Sequence, residues 1–167
     1  MENKNVRRRI VREKVVQALY AHEISKDPAD HVIQYNLVGL RNNKDAYAFA
    51  KELVRATIDK APDVDEIIKS KVANWDFNRI AILDKLILRM AICELLYFTD
   101  IPPKVTMNEA IELAKLFSTE KSGQFVNGVL DAVVEDLKKS GEHGKSGRGL
   151  YEGTGPRVTK SARAKTS

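Results

Sequence analysis

The chain has 167 residues, 43% of them apolar and 31% charged, which excludes a disordered chain and suits one domain or two small bundles sharing a core. No apolar run has the shape of a signal peptide, and the polar, basic N-terminus fits a cytoplasmic protein. The net charge of +5 is uneven: residues 1–16 hold six basic side chains against Glu2 and Glu13, residues 140–167 hold six against Glu142 and Glu152, and the body between them is left at −3. Basic ends on a weakly acidic body argue for a polyanion held at a defined place.

The first predicted helix runs from about Val6 to Ser25, with Val11, Val15, Ala18, Leu19 and His22 on one face. Arg9 and Arg12 project from the neighbouring flank, near Val16 and Tyr20, and Arg8 overhangs the start of the apolar stripe. Cations at a helix N-terminus oppose the macrodipole and repel each other, so Arg7, Arg8 and Arg9 in a row ask for an anionic ligand. His22 reads as a core or boundary histidine, because neither His31 nor His143 stands at a metal-binding spacing from it. Asp27 and Pro28 read as the N-cap and first position of a second helix over about 28–38, closed by Gly39. A third helix, Lys44 to Lys60, buries Ala46, Phe49, Ala50, Leu53 and Thr57 and is ended by Pro62. The run Asp63 to Glu66 has a capping-box shape and leads into Val64, Ile67, Ile68, Lys71, Val72 and Trp75 at helical spacing.

Ile80–Phe98 is apolar on every side, and its four charges (Asp84, Lys85, Arg89 and Glu94) form no polar stripe. A membrane span is a poor reading, since each charge at a bilayer centre costs roughly 2.5–3.5 kcal/mol. The segment is therefore a central helix wrapped by the others. Arg89 and Glu94 then need internal partners, and Glu109 and Glu112 are the carboxylates expected to face cations such as Arg89. Cys93, the only cysteine, is expected to be a structural thiol. Ile101-Pro102-Pro103 stops this helix, and Thr106-Met107-Asn108-Glu109 looks like a capping box opening the next one, which would bury Met107, Ala110, Ile111, Ala114 and Phe117. Ser118–Gly123 reads as a polar loop, and the last helix as about Gln124 to Lys139, with Val126, Val129, Leu130, Val133 and Leu137 inward. Gly128 within it suggests close packing of another helix. From 140 to 167 the composition turns to Gly, Ser, Lys and Arg, with six of the nine glycines, which is expected to be a disordered basic tail. No segment alternates as a strand would, so the expected fold is all-α.

No motif carries catalysis. The sequence has no phosphate loop, H-E-x-x-H, CxxC or Gly-x-Ser-x-Gly, so a binding protein is expected, without catalytic residues, metal or cofactor.

Three blocks carry a resemblance. Arg8-Arg9-Ile10-Val11-Arg12-Glu13 with Gln17-Ala18-Leu19-Tyr20 resembles the first helix of the NusB family of bacterial transcription antitermination factors, and Ile87–Leu95 resembles its central helix. The most specific block is Ile101-Pro102, Val105, Asn108–Lys115 and Phe125–Asp131. The match spans roughly residues 6–137, with Val11 where the family usually has a small residue, and it does not extend to the tail. The resemblance implies two packed helical subdomains of about seven helices around a buried central helix. It also implies binding to the single-stranded boxA element of ribosomal RNA leader transcripts, together with the ribosomal protein NusE, acting indirectly on the RNA polymerase elongation complex. By residue matching, Arg8, Arg9 and Arg12 form the RNA contact. Beyond the match, Lys4 is expected to join it, Tyr20 on the arginine flank is either a stacking surface or a packed side chain, and Lys121 and Gln124 extend the site if the loop before the last helix lies beside the first. Arg79 and Asp84, at the start of the central helix, are the expected partner contacts. Whether the chain forms a homodimer is left open.

Two other readings compete. The same helical domain forms the N-terminal part of a ribosomal RNA cytosine methyltransferase, but residues 140–167 are too few and too polar for a catalytic domain. A helical protein–protein adaptor would instead set its arginines against an acidic partner.

Overall fold

The computed structural model describes residues 4–72 and 77–141, with side chains from residue 7 onward; the 140–167 tail lies, apart from its first two residues, outside the described residues, as does Trp75. Seven α-helices are described: α1 (Lys4–Ser25), α2 (Ala29–Asn36), α3 (Lys44–Asp59), α4 (Ala61–Lys71), α5 (Ile82–Tyr97), α6 (Pro103–Phe117) and α7 (Glu120–Ser140). Short 3₁₀ turns cover Val38–Leu40 and Phe77–Arg79, and no strand occurs among the described residues. Helices α1, α2 and α3 pack on one another, as do α4 to α7, and α5 joins the two groups through its contacts with α1 and α3.

The central role of α5 follows from its composition. Leu86, Ile87, Leu88, Met90, Ala91, Ile92 and Cys93 are all buried, because an apolar helix without a polar face finds its minimum only when every side is covered. Cys93 donates its S–H to the Ala56 carbonyl at 3.7 Å. Burial pushes its thiol up to about 12, which leaves it a structural group. The inward faces of the other helices follow their spacing: Val15, Ala18 and Leu19 from α1, Ala50, Leu53 and Val54 from α3, Val64 and Ile68 from α4, and Val126, Leu130 and Val133 from α7.

The helix boundaries depart from expectation at the prolines and at Thr106. The second proline of the pair starts α6, because at the first helical position its missing N–H is not needed. Thr106 therefore lies inside the first turns of α6 rather than capping it, and Leu113 is buried while Met107, Ile111 and Phe117 are only half-buried. Pro62 likewise both ends α3 and opens α4, so the helix begins before the Asp63 capping box. Pro28, not Asp27, stands at the N-cap position of α2, without a side-chain cap, and Gly39 falls in the 3₁₀ turn. The polar stretch 118–123 is no loop: Thr119 accepts from the Ser122 N–H and α7 begins at Glu120. Gly123 is where α7 passes α6, since a Cβ there would lie 2.9 Å from Cγ of Lys115. A Cβ at Gly128 would meet nothing within 4 Å, so the expected helix contact is absent there.

Candidate nucleic-acid interface

The arginine-rich end of α1 meets the first turns of α3 and α6 and the chain between α5 and α6. Its three matched arginines have three different environments. Arg12 is 2% exposed and pairs bidentately with Glu94, Nε to Oε2 at 2.7 Å and Nη2 to Oε1 at 2.8 Å. Thr106 donates its hydroxyl to Glu94 Oε1 at 2.9 Å, Arg12 Nη1 donates to the Arg8 carbonyl at 3.4 Å, and the guanidinium lies 5.3 Å from the centre of the Phe49 ring. The sequence expectation for Arg12 is thus corrected: its charge is a core group consumed by Glu94, not a surface contact. The reason is the acid on α5, which must be neutralised where no water reaches.

Arg9 is half-exposed and tied to Glu109 through Nε at 3.2 Å and Nη2 at 3.4 Å. Arg7 and Arg8 are exposed. Lys4 belongs to α1, but its side chain is outside the described ones. The partners expected for the acids are therefore exchanged. Glu109 faces Arg9 instead of Arg89, and Glu112 pairs with Lys115 on its own helix. Arg89 joins Asp65 of α4 at 2.7 Å and Glu23 of α1 at 3.5 Å. Burial works against the Arg89 charge, yet the hydrogen bonds and charges of Asp65 and Glu23 outweigh it and hold the pKa above its ordinary value.

Beside Arg7 and Arg8 opens a groove of about 380 Å³ between α1, α3 and the start of α6. Its walls include Val11, Phe49, Ile101 and Val105, and its rim carries Asp45 and Asp100 beside the two arginines. The charge run marked Arg7, which residue matching left out, but sequence reasoning missed Asp45 and Asp100, since the groove is made by three segments far apart in the chain.

The remaining candidates lie elsewhere. Tyr20 is 42% exposed and follows Arg9 by eleven residues on the same flank of α1, roughly 16 Å along the axis. Lys121 and Gln124 are exposed on the first turns of α7, where Gly123 packs on Ile111 and Lys115 of α6, past the Glu109 that holds Arg9. Arg79 is exposed. Asp84 is not: it is 7% exposed and accepts from the Ser122 hydroxyl at 3.1 Å, while its Oδ1 has no hydrogen-bond partner. Ser122 of α7 covers the Asp84 carboxylate, which corrects Asp84 as a partner contact, while Ile82, Leu83 and Lys85 beside it are half-buried. Burial raises the Asp84 carboxyl pKa against the lowering effect of Ser122. His22 Nδ1 donates to the Asp27 carbonyl at 2.7 Å, so it is the boundary histidine its position suggested. The described residues hold no cluster of His, Cys, Asp and Glu fit for a metal ion, and no described helix is long and apolar enough to cross a membrane.

Fold and site together define an all-helical protein built around one buried helix, with a cationic helix end on its surface. The family model of NusB matches residues 9–135, and the chain belongs to the NusB family. It is 44% identical over 151 residues to the transcription antitermination protein NusB of Chloroherpeton thalassium, covering 88% of this chain and 70% of that one. Its fold matches T. maritima NusB with a TM-score of 0.72 at 35% identity, over 77% of this chain and 91% of the other. A crystal structure of antitermination factors NusB and NusE in complex with dsRNA matches with a TM-score of 0.69 at 27% identity, over 77% of this chain and 96% of that one. As a member of this family, the chain is a non-enzymatic factor.

Proposed function

We propose that this protein is a cytoplasmic antitermination factor that binds the single-stranded boxA element of ribosomal RNA leader transcripts together with NusE, and through that complex acts on elongating RNA polymerase. Residues 1–139 form the RNA-binding unit of this reading, and residues 140–167 are a basic extension of it. The observation that carries it is the end of α1, where Arg7 and Arg8 stand exposed on a helix terminus that cations otherwise avoid. The fold likeness to a chain in the complex of NusB and NusE with dsRNA supports the RNA and NusE parts of this reading. Arg12 acts as a positioning residue: pinned to Glu94 and to the Arg8 carbonyl, it fixes the turn from which Arg8 projects. Arg9 lies at the edge of the contact with half its capacity held by Glu109. Lys4 extends the contact along α1, and Tyr20, Lys121 and Gln124 form its further reach, beside Arg79 as a NusE contact.

Titration of a boxA oligonucleotide and a scrambled control, with and without NusE, tests this. With roughly two to four phosphates neutralised, log K against log salt should have a slope of about −1.4 to −2.8, at about −0.7 per phosphate. Arg8→Ala should flatten the slope by about 0.7 and weaken boxA binding with helix content unchanged. Equal affinity for boxA and the scrambled control would overturn the reading, as would loss of RNA binding only on deleting residues 142–167.

A further inference from the structure

The groove beside Arg7 and Arg8 differs from a phosphate track. A backbone-binding surface is uniformly cationic, whereas apolar side chains and the carboxylates of Asp45 and Asp100 line this groove together with its arginines. Val11, Ala46, Phe49, Ile101, Pro102 and Val105 come from α1, α3, the α5–α6 connection and the start of α6 and leave a cleft of about 380 Å³, within the range of cavities that take a small ligand. Phe49 is held by a T-shaped contact with Phe98 at 5.7 Å and by the Arg12 guanidinium. Arg12 is in turn immobilised by Glu94, so the floor is pre-formed and loses little freedom on binding.

A nucleobase has apolar faces and a polar edge, which is the pattern of this cleft. Phosphates repel carboxylates, so Asp45 and Asp100 would be misplaced in a pure backbone site, but they are acceptors for the exocyclic amino groups of guanine, adenine and cytosine. Uracil has no exocyclic amino group: its one donor on that edge is the ring N3–H, flanked by two carbonyl oxygens that a carboxylate repels, so it should bind less well. We propose that the groove is a base pocket, which takes one unstacked, amino-bearing nucleobase of the bound RNA strand while Arg7 and Arg8 hold the neighbouring phosphates. This rests on the RNA-binding reading and deepens it, because phosphate contacts alone carry no sequence information.

The test uses the full chain and a boxA RNA oligonucleotide in which each amino-bearing base is replaced in turn by uracil. Wild-type protein should lose about tenfold or more in affinity at one position. Ala46→Leu, which fills the cleft, should lower boxA affinity about tenfold, leave scrambled RNA within about twofold, and leave the salt slope unchanged. Asp45→Asn with Asp100→Asn should remove the discrimination against uracil at that one position, and this variant decides the matter should Ala46→Leu fail to fold. If wild type prefers boxA but no uracil substitution and no groove variant changes that preference, the base pocket is wrong and the RNA reading stands. If wild type shows no boxA preference, the underlying reading fails first. A groove variant that loses NusE binding alone, with RNA affinity intact, would make the cleft a protein-docking site and overturn the proposal.

Discussion

Arg12 brings five N–H donors into the core, and three of them are taken up, two on Glu94 and one on the Arg8 carbonyl, with the flat face against Phe49. Removing either member of such a pair leaves a buried charge alone. Arg12→Ala or Glu94→Ala should each lower the unfolding free energy by about 3–5 kcal/mol in urea titrations. Arg89→Ala should lose less, because Asp65 and Glu23 retain access to water, their side chains being 18% and 32% exposed. Asp84 makes the opposite case. Its carboxyl binds a proton more tightly in the folded state than in the unfolded one, so stability falls as pH rises from the unfolded pKa to the folded one. Asp84→Asn should therefore raise the urea midpoint at pH 7, and the gain from removing the charge should fade below about pH 4, where both states of the wild type become protonated.

At the scale of the helices, two backbone positions invite exchange. Lys26 ends α1 with φ +62°, a left-handed conformation in which a side chain is crowded and glycine is not. Gly128 stands mid-helix in α7 with open space around it, where alanine is favoured by about 1 kcal/mol. Gly128→Ala should raise Tm by about 2–4 °C, and Lys26→Gly should raise it as well. Gly123→Ala should gain less than Gly128→Ala, since its methyl must displace the Lys115 stem. Calorimetry on the three variants checks the order. These helices also show why local signals mislead. Thr106 and Glu109 have the spacing of a cap, but each is drawn into an interhelical contact instead, to Glu94 and to Arg9.

For the molecule as a whole, α5 sets the distance between two surfaces. Glu94 underlies the arginine end of α1, and Asp84, ten residues earlier, underlies the start of α7, so the two ends lie roughly 15 Å apart. On the proposed reading the RNA–NusE complex spans both. Substitutions at Arg8 and at Lys121 should then weaken its assembly additively, within about 0.5 kcal/mol, because neither contacts the other. Titration of the ternary complex with the two single variants and the double variant measures this. A coupling above that would mean that the two ends act on one group.

The sequence by itself determined the all-helical class and the buried central helix, because the period of apolar residues is a property of neighbours along the chain. It likewise marked the cationic start of α1 and the inward faces of α1, α3 and α7. Only the tertiary structure decided which charge meets which. Arg8, Arg9 and Arg12 are equivalent in sequence, and their roles separated when α5 brought Glu94 under one and α6 brought Glu109 beside another. The burial of Asp84 and the groove beside Arg7 were decided in the same way. Each depends on residues distant in the chain, and periodicity carries no information about how helices pair.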